Sequence, residues 1–170
     1  ASGSVPYVVT AGTEGSIMAW RFENGQFVKL SHCEGHIRAV TCLLIHNDVV
    51  WSGSGDRTLR VWDISTGTNV GTISAAPGNP NGHADAVSCL ASIPASAASG
   101  GESYVVSGSI DGDTKLWKSD GSFVYTCNNG AGVTSMCYFQ DALGGAPSLI
   151  IGLFEGRIVI RSCSTMALLL

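Results

Sequence analysis

The chain has 170 residues, 45% of them hydrophobic and only 13% charged, which is enough for one domain-sized core. A net charge of −4 and a pI near 5.4, with no basic stripe, disfavour a general nucleic-acid surface. No apolar run reaches the roughly 18 residues of a membrane span, and no charged segment followed by an apolar one reads as a signal peptide.

Four units follow one another, each centred on an acidic turn residue. The first, Tyr7 to Phe22, places Thr10 four residues before Glu14 and Trp20 six after it. The second, Gly35 to Ser74, repeats the pattern as Ser52, Asp56 and Trp62 and adds Gly35-His36 upstream. Its β-branched and aromatic runs predict four strands, a to d in chain order, at Val40–Ile45, Val49–Gly53, Thr58–Asp63 and Asn69–Ser74. The third, Gly82 to Thr126, carries His83, Ser107, Asp111 and Trp117, with strands expected at Val87–Ser92, Ser103–Ser107, Thr114–Trp117 and Phe123–Cys127. The fourth, Ala131 to Leu170, is worn down to Ile151, Glu155 and Arg161, with strands expected at Val133–Phe139, Ser148–Gly152, Arg157–Ser162 and Met166–Leu170. The turn acids lie 42, 55 and 44 residues apart, a spacing that suits a repeating four-stranded unit. The extra length falls in three small, Pro/Gly-rich loops, 75–81, 94–101 and 141–147, expected to be exposed and mobile.

Six cysteines occur, with no C-x-x-C. Cys42 and Cys89 hold one strand position in two repeats, as small core residues do, so all six are read as reduced thiols of an intracellular protein.

The Gly-His … Ser-Gly-Ser-x-Asp … Val-Trp-Asp pattern of the second and third units resembles the WD40 repeat, and the resemblance extends over nearly the whole chain. Only Trp62-Asp63 is a literal Trp-Asp pair; its counterparts are Trp20-Arg21, Trp117-Lys118 and Arg161-Ser162. The resemblance implies an all-β fold: a partial WD40 β-propeller of about four four-stranded antiparallel blades, the first lacking its innermost strand. The blades are expected at about 5–34, 35–81, 82–128 and 129–170. Propellers of this family typically have seven blades, so the rest are expected from the same longer chain or, failing that, from a second copy. Thr13 to Phe22 also resembles a blade of plant proteins that pair CCCH zinc fingers with WD40 repeats. The second unit resembles WD40 substrate receptors of ubiquitin ligases, but these often place Arg where this chain has Gly55 and Thr41.

The recurring polar residues have matching hydrogen-bond polarity. An indole N–H donates, a hydroxyl accepts and passes on, an imidazole does both and a carboxylate accepts. Trp62, Ser52, His36 and Asp56 can form one relay and Trp117, Ser107, His83 and Asp111 another, with Thr10, Glu14 and Trp20 as a remnant. The fourth unit, with Asn129 near the His offset, is expected to be held by packing alone and to be the loosest. Ser52, His36 and Asp56 also invite a nucleophilic triad, but a strand-embedded Ser lacks an oxyanion hole and a groove. His32, Cys33 and His36 find no second ligand pair, so no metal or cofactor is expected.

Partner contacts are expected on the rim where the d–a loops and b–c turns open. The candidates are Arg38 and Arg57, able to grip a carboxylate or phosphate, with Thr13, Asp85, Ile110 and Phe154 beside them. The expected function is a non-catalytic scaffold for other proteins or peptides in the cytoplasm or nucleus. The alternatives are substrate recognition for a ubiquitin ligase and an RNA-associated zinc-finger protein.

Overall fold

A computed structural model describes residues 7–76, 80–97, 101–140, 145–167 and 169. These residues form four antiparallel sheets and no helix. The first sheet holds β1 (Tyr7–Ala11), β2 (Ile17–Glu23) and β3 (Gln26–Cys33). The second holds β4 (Val40–His46), β5 (Val49–Ser54), β6 (Leu59–Asp63) and β7 (Thr68–Ile73). The third holds β8 (Val87–Ile93), β9 (Tyr104–Ser109), β10 (Asp113–Lys118) and β11 (Phe123–Asn128), and the fourth β12 (Val133–Phe139), β13 (Ser148–Leu153) and β14 (Ile158–Ser162). Each sheet runs strand to neighbouring strand in chain order, as the blades of a WD40 propeller do. The first lacks the innermost strand that the other three possess.

The core is divided into seams between blades. Ile17, Ala19, Val50 and Trp62 fill the first seam, Trp51, Leu59, Val87 and Trp117 the second, and Ala91, Val106, Leu149 and Ile151 the third. Strand alternation explains the division: Val50 and Ser52 face the preceding blade, Trp51 and Gly53 the following one. Each fully buried large side chain contributes about 1.5–3 kcal/mol.

One device recurs at the second and third seams. The first residue of β8, Val87, presses onto Gly53, where an added Cβ would meet Val87 Cγ1 at 2.5 Å; Val133 presses onto Gly108 in the same way, at 2.6 Å. Only glycine permits that approach. β4, β8 and β12 each bulge just after their first residue, between Val40 and Cys42, Val87 and Cys89, and Val133 and Ser135. The bulged hydroxyls reach across the seam: Thr41 Oγ1 lies 2.9 Å from Gly53 O and 2.5 Å from Val87 O, and Ser88 Oγ lies 3.1 Å from Gly108 O and 2.6 Å from Val133 O. Thr134 Oγ1 donates to Gly152 O at 3.0 Å. No knob presses on Gly152, whose nearest neighbours belong to Thr134 and Ser135 of its own blade.

Two expectations need correction. Met166 to Leu170 forms no assigned strand among the described residues, although Ser162 N donates to Ala167 O and Leu169 N to Ile160 O, as a fourth strand would pair. Leu168 and Leu170 lie outside the described residues. The 94–101 loop is not wholly exposed: Ala97 N donates to Pro94 O, and the turn tucks the Ala97 methyl into the third seam. Residues 77–79, 98–100 and 141–144 of the three loops lie outside the described residues.

Candidate functional site

In blade two the repeated polar residues meet. Trp62 Nε1 donates to Ser52 Oγ at 2.8 Å, Ser52 Oγ lies 2.7 Å from His36 Nε2, and His36 Nδ1 lies 2.8 Å from Asp56 Oδ2. Blade three gives 2.8, 2.7 and 3.1 Å for Trp117, Ser107, His83 and Asp111. A neutral imidazole with its proton on Nδ1 satisfies every member: it donates to the carboxylate and accepts from the serine, which accepts from the indole. The carboxylates also take backbone donors, Ile37 N and Thr58 N at Asp56, Ala84 N and Asp113 N at Asp111. Each relay therefore ties the loop entering a blade to the b–c turn of that blade.

The electrostatics follow from this arrangement. Burial opposes ionisation of Asp56, but hydrogen bonds from Thr58, His36 and the backbone hold its carboxyl down at about 2. Asp111 is held low against the same burial penalty by His83 and the amides of Asp113 and Ala84. Burial pushes His36 below its ordinary value, outweighing the pull of Asp56. Ser52 and Ser107 are fully buried, so no substrate carbonyl reaches either hydroxyl. No three His, Cys, Asp or Glu residues are grouped as metal ligands among the described residues, and none of the described cysteines is paired.

Blades one and four depart from this scheme. Trp20 Nε1 donates to Thr10 Oγ1 at 2.9 Å on an exposed face, while Glu14 stands apart and accepts from Ser16. Blade four is not held by packing alone. Arg161, at the tryptophan offset, is buried and donates from Nε to Asn129 Oδ1 at 3.0 Å, from Nη1 to Met166 O at 3.1 Å and from Nη2 to Asn128 O at 3.2 Å. Asn129, at the histidine offset, donates onward to Gly112 O and Thr114 Oγ1 of blade three. A long forked donor spans the gap that Trp, Ser and His fill elsewhere.

The rim candidates surface where those loops and turns open. Ile37, Arg38, Gly55, Asp56, Arg57 and Asp85 line one cavity of about 340 Å³ between blades two and three. Thr13 is exposed, Ile110 half-buried, and Phe154 is 64% exposed, its ring lying over Gly132. Ile37, 83% exposed, is a rim residue that the repeat pattern does not flag; its signal is an apolar side chain between His36 and Arg38. A second omission is a latch near the opposite end of the strands. His46 of blade two is buried, with Nδ1 2.9 Å from Ser92 Oγ and Nε2 2.9 Å from Ser119 Oγ of blade three. Asn47 Nδ2 donates to Ser119 and Ser103. Trp51 is plain core, wholly buried in the second seam.

Comparison with known proteins agrees with this geometry. The family model described as WD domain, G-beta repeat matches residues 27–63 and 76–118. Zinc finger CCCH domain-containing protein 59 of Arabidopsis thaliana is 43% identical over 61 residues, covering 33% of this chain and 13% of its own length. Human Pleiotropic regulator 1 is 32% identical over 117 residues, covering 67% of this chain and 21% of its own length. The chain thus spans only 13% and 21% of the length of these two curated relatives. Among solved structures, the RRP9 WD40 repeats superpose with a TM-score of 0.74 at 21% identity, over 96% of this chain and 46% of that one. The computationally designed Ika4 protein superposes with a TM-score of 0.71 at 27% identity, over 94% and 86%. The chain belongs to the WD40-repeat family, whose members generally serve as non-catalytic platforms for binding other proteins.

Proposed function

We propose that the chain forms one arc of a WD40 propeller and acts as a non-catalytic scaffold, binding peptides or domains of other proteins on the rim of d–a loops and b–c turns. The observation that carries this reading is a division of labour among the polar groups. Those repeated in blades two and three are buried and spent on one another, whereas Ile37, Arg38, Arg57 and Phe154 stand exposed beside them. The relays in this reading are structural, fixing the loops that present the rim. An affinity set by a few apolar and arginine anchors fits such a surface. Its setting is the cytoplasm or nucleus.

Further blades complete the ring in this reading. Blade four turns Phe139, 51% exposed, and Ile158, 66% exposed, together with the unfilled Gly152 site toward the place where the next blade stands at every other seam. The similarity to Arabidopsis CCCH zinc-finger proteins favours a second reading of the context, in which the arc is the propeller part of an RNA-associated protein. The test is affinity capture from extract with the parent and with Arg38→Ala plus Phe154→Ala. The rim reading expects partners to be lost from the double variant while its unfolding curve stays that of the parent; an unchanged set of partners would remove it.

A further inference from the structure

The b–c turn of blade two carries an anomaly. Its third residue takes the left-handed conformation in every blade, and three of the four use glycine: Gly15 at φ 93°, Gly112 at 89° and Gly156 at 76°. Blade two places Arg57 there at φ 71°. A side chain at such a φ is strained, and strain kept at one copy of a repeat points to a use for that side chain.

The charge inventory points to the same place. Of the nine Lys and Arg residues, Arg21, Lys115, Lys118 and Arg157 pair with Glu23, Asp113, Glu102 and Glu155. Arg161 is fully engaged, and Arg60 lies over the Trp62 ring. Among the described residues this leaves Lys29, Arg38 and Arg57 without a side-chain partner, and the two arginines line the same cavity. Asp56 keeps its negative charge on the cavity wall, but both its oxygens are taken by His36, Thr58 and Ile37, so the guanidinium N–H groups stay free to donate. Asp85, on the far wall, caps Ala86 N and adds a second negative charge. These charges and the net −4 of the chain repel a polyanion, whereas a single oxyanion can take the free guanidinium donors.

We propose that the Arg38–Arg57 cleft is a subsite for one peptide-borne oxyanion, a carboxylate or a phosphorylated side chain, with a neighbouring apolar residue of the same peptide resting on Ile37. Two guanidiniums offer paired donors to two oxygens, the arrangement that suits carboxylate and phosphate alike. The proposal rests on the rim reading above and names the chemistry of its ligand.

The test uses fluorescence anisotropy with labelled pools of short peptides that carry a central Glu, phosphoserine or Gln between random flanks. A short oligouridine serves as the competing probe. The proposal expects the Glu or phosphoserine pool to bind the parent at least about tenfold more tightly than the Gln pool. Whichever of the two binds tighter identifies the source of the oxyanion. Arg57→Gly loses that preference while its melting temperature holds or rises by up to about 4 °C, because glycine relieves the strain. Arg157→Ala, in the matching turn of blade four, leaves binding unchanged. A fall in melting temperature in Arg57→Gly would make the arginine a structural residue and overturn the proposal, as would preferred binding of oligouridine. If Glu and Gln pools bind equally but Ile37→Ser or Phe154→Ala abolishes binding, the oxyanion subsite fails and the rim stands. If no rim substitution changes binding, both fail.

Discussion

Blades two and four solve one problem with different chemistry. In both, a loop entering the blade must be held against the strands beneath it, with its polar groups out of water. Blade two does this with Trp62, Ser52, His36 and Asp56, passing one hydrogen bond to the next and ending on a carboxylate. Blade four does it with a buried guanidinium that meets an amide oxygen and two backbone carbonyls. The position demands saturated hydrogen bonding more than particular residues, since an unpaired buried polar group costs about 1–3 kcal/mol.

The strongest way to break this comparison is Arg161→Ala. It strands Asn129 Oδ1, Asn128 O and Met166 O together and removes the packing of a long side chain, so we expect a loss of about 3–5 kcal/mol in denaturant unfolding. A loss below about 1 kcal/mol would return blade four to packing alone. The seams sharpen the comparison further. In Gly53→Ala the new methyl meets Val87 across a filled seam and Cys42 within the blade, so a loss of about 2–3 kcal/mol is expected from overpacking. In Gly152→Ala it meets the Ser135 hydroxyl of its own blade, which can rotate away, so the loss should stay below about 1 kcal/mol. Equal losses would mean that the knob is unimportant.

The gentlest probe is pH. His36 lies below its ordinary 6.5 and Asp56, at about 2, below its ordinary 3.8, so in this range the unfolded chain binds more protons than the folded one. The stabilisation is complete above about pH 6.5 and fades as pH falls toward 2. Blade four's Arg161–Asn129 bonding includes no imidazole or carboxyl. Hydrogen exchange between pH 7 and 4 should therefore weaken protection in β5 and β6 while leaving that of β13 and β14 nearly level, and parallel losses would contradict the assignment.

The blades were legible in the sequence because their residue types recur at fixed offsets, and apart from Met166–Leu170 the expected and observed strands differ by a residue or two at their ends. The relay members could be named for the same reason. The Arg161–Asn129 pairing was not legible, because it keeps the offsets and changes the residues. The His46 latch belongs to a single seam, so no repetition reveals it. Ala97 looked like loop by composition, and only the turn it closes shows that its methyl is core. The strain at Arg57 becomes visible once φ is known, although an arginine where three sister turns hold glycine is a signal that alignment of the units contains.

The buried quartet pins the loop entering a blade to that blade's b–c turn and does no chemistry. Its most direct test is denaturant unfolding of His36→Ala, which leaves the Asp56 carboxylate and the Ser52 hydroxyl without their shared partner. The expected loss is about 2–4 kcal/mol; an unfolding curve that overlays the parent's would show that the quartet is not structural.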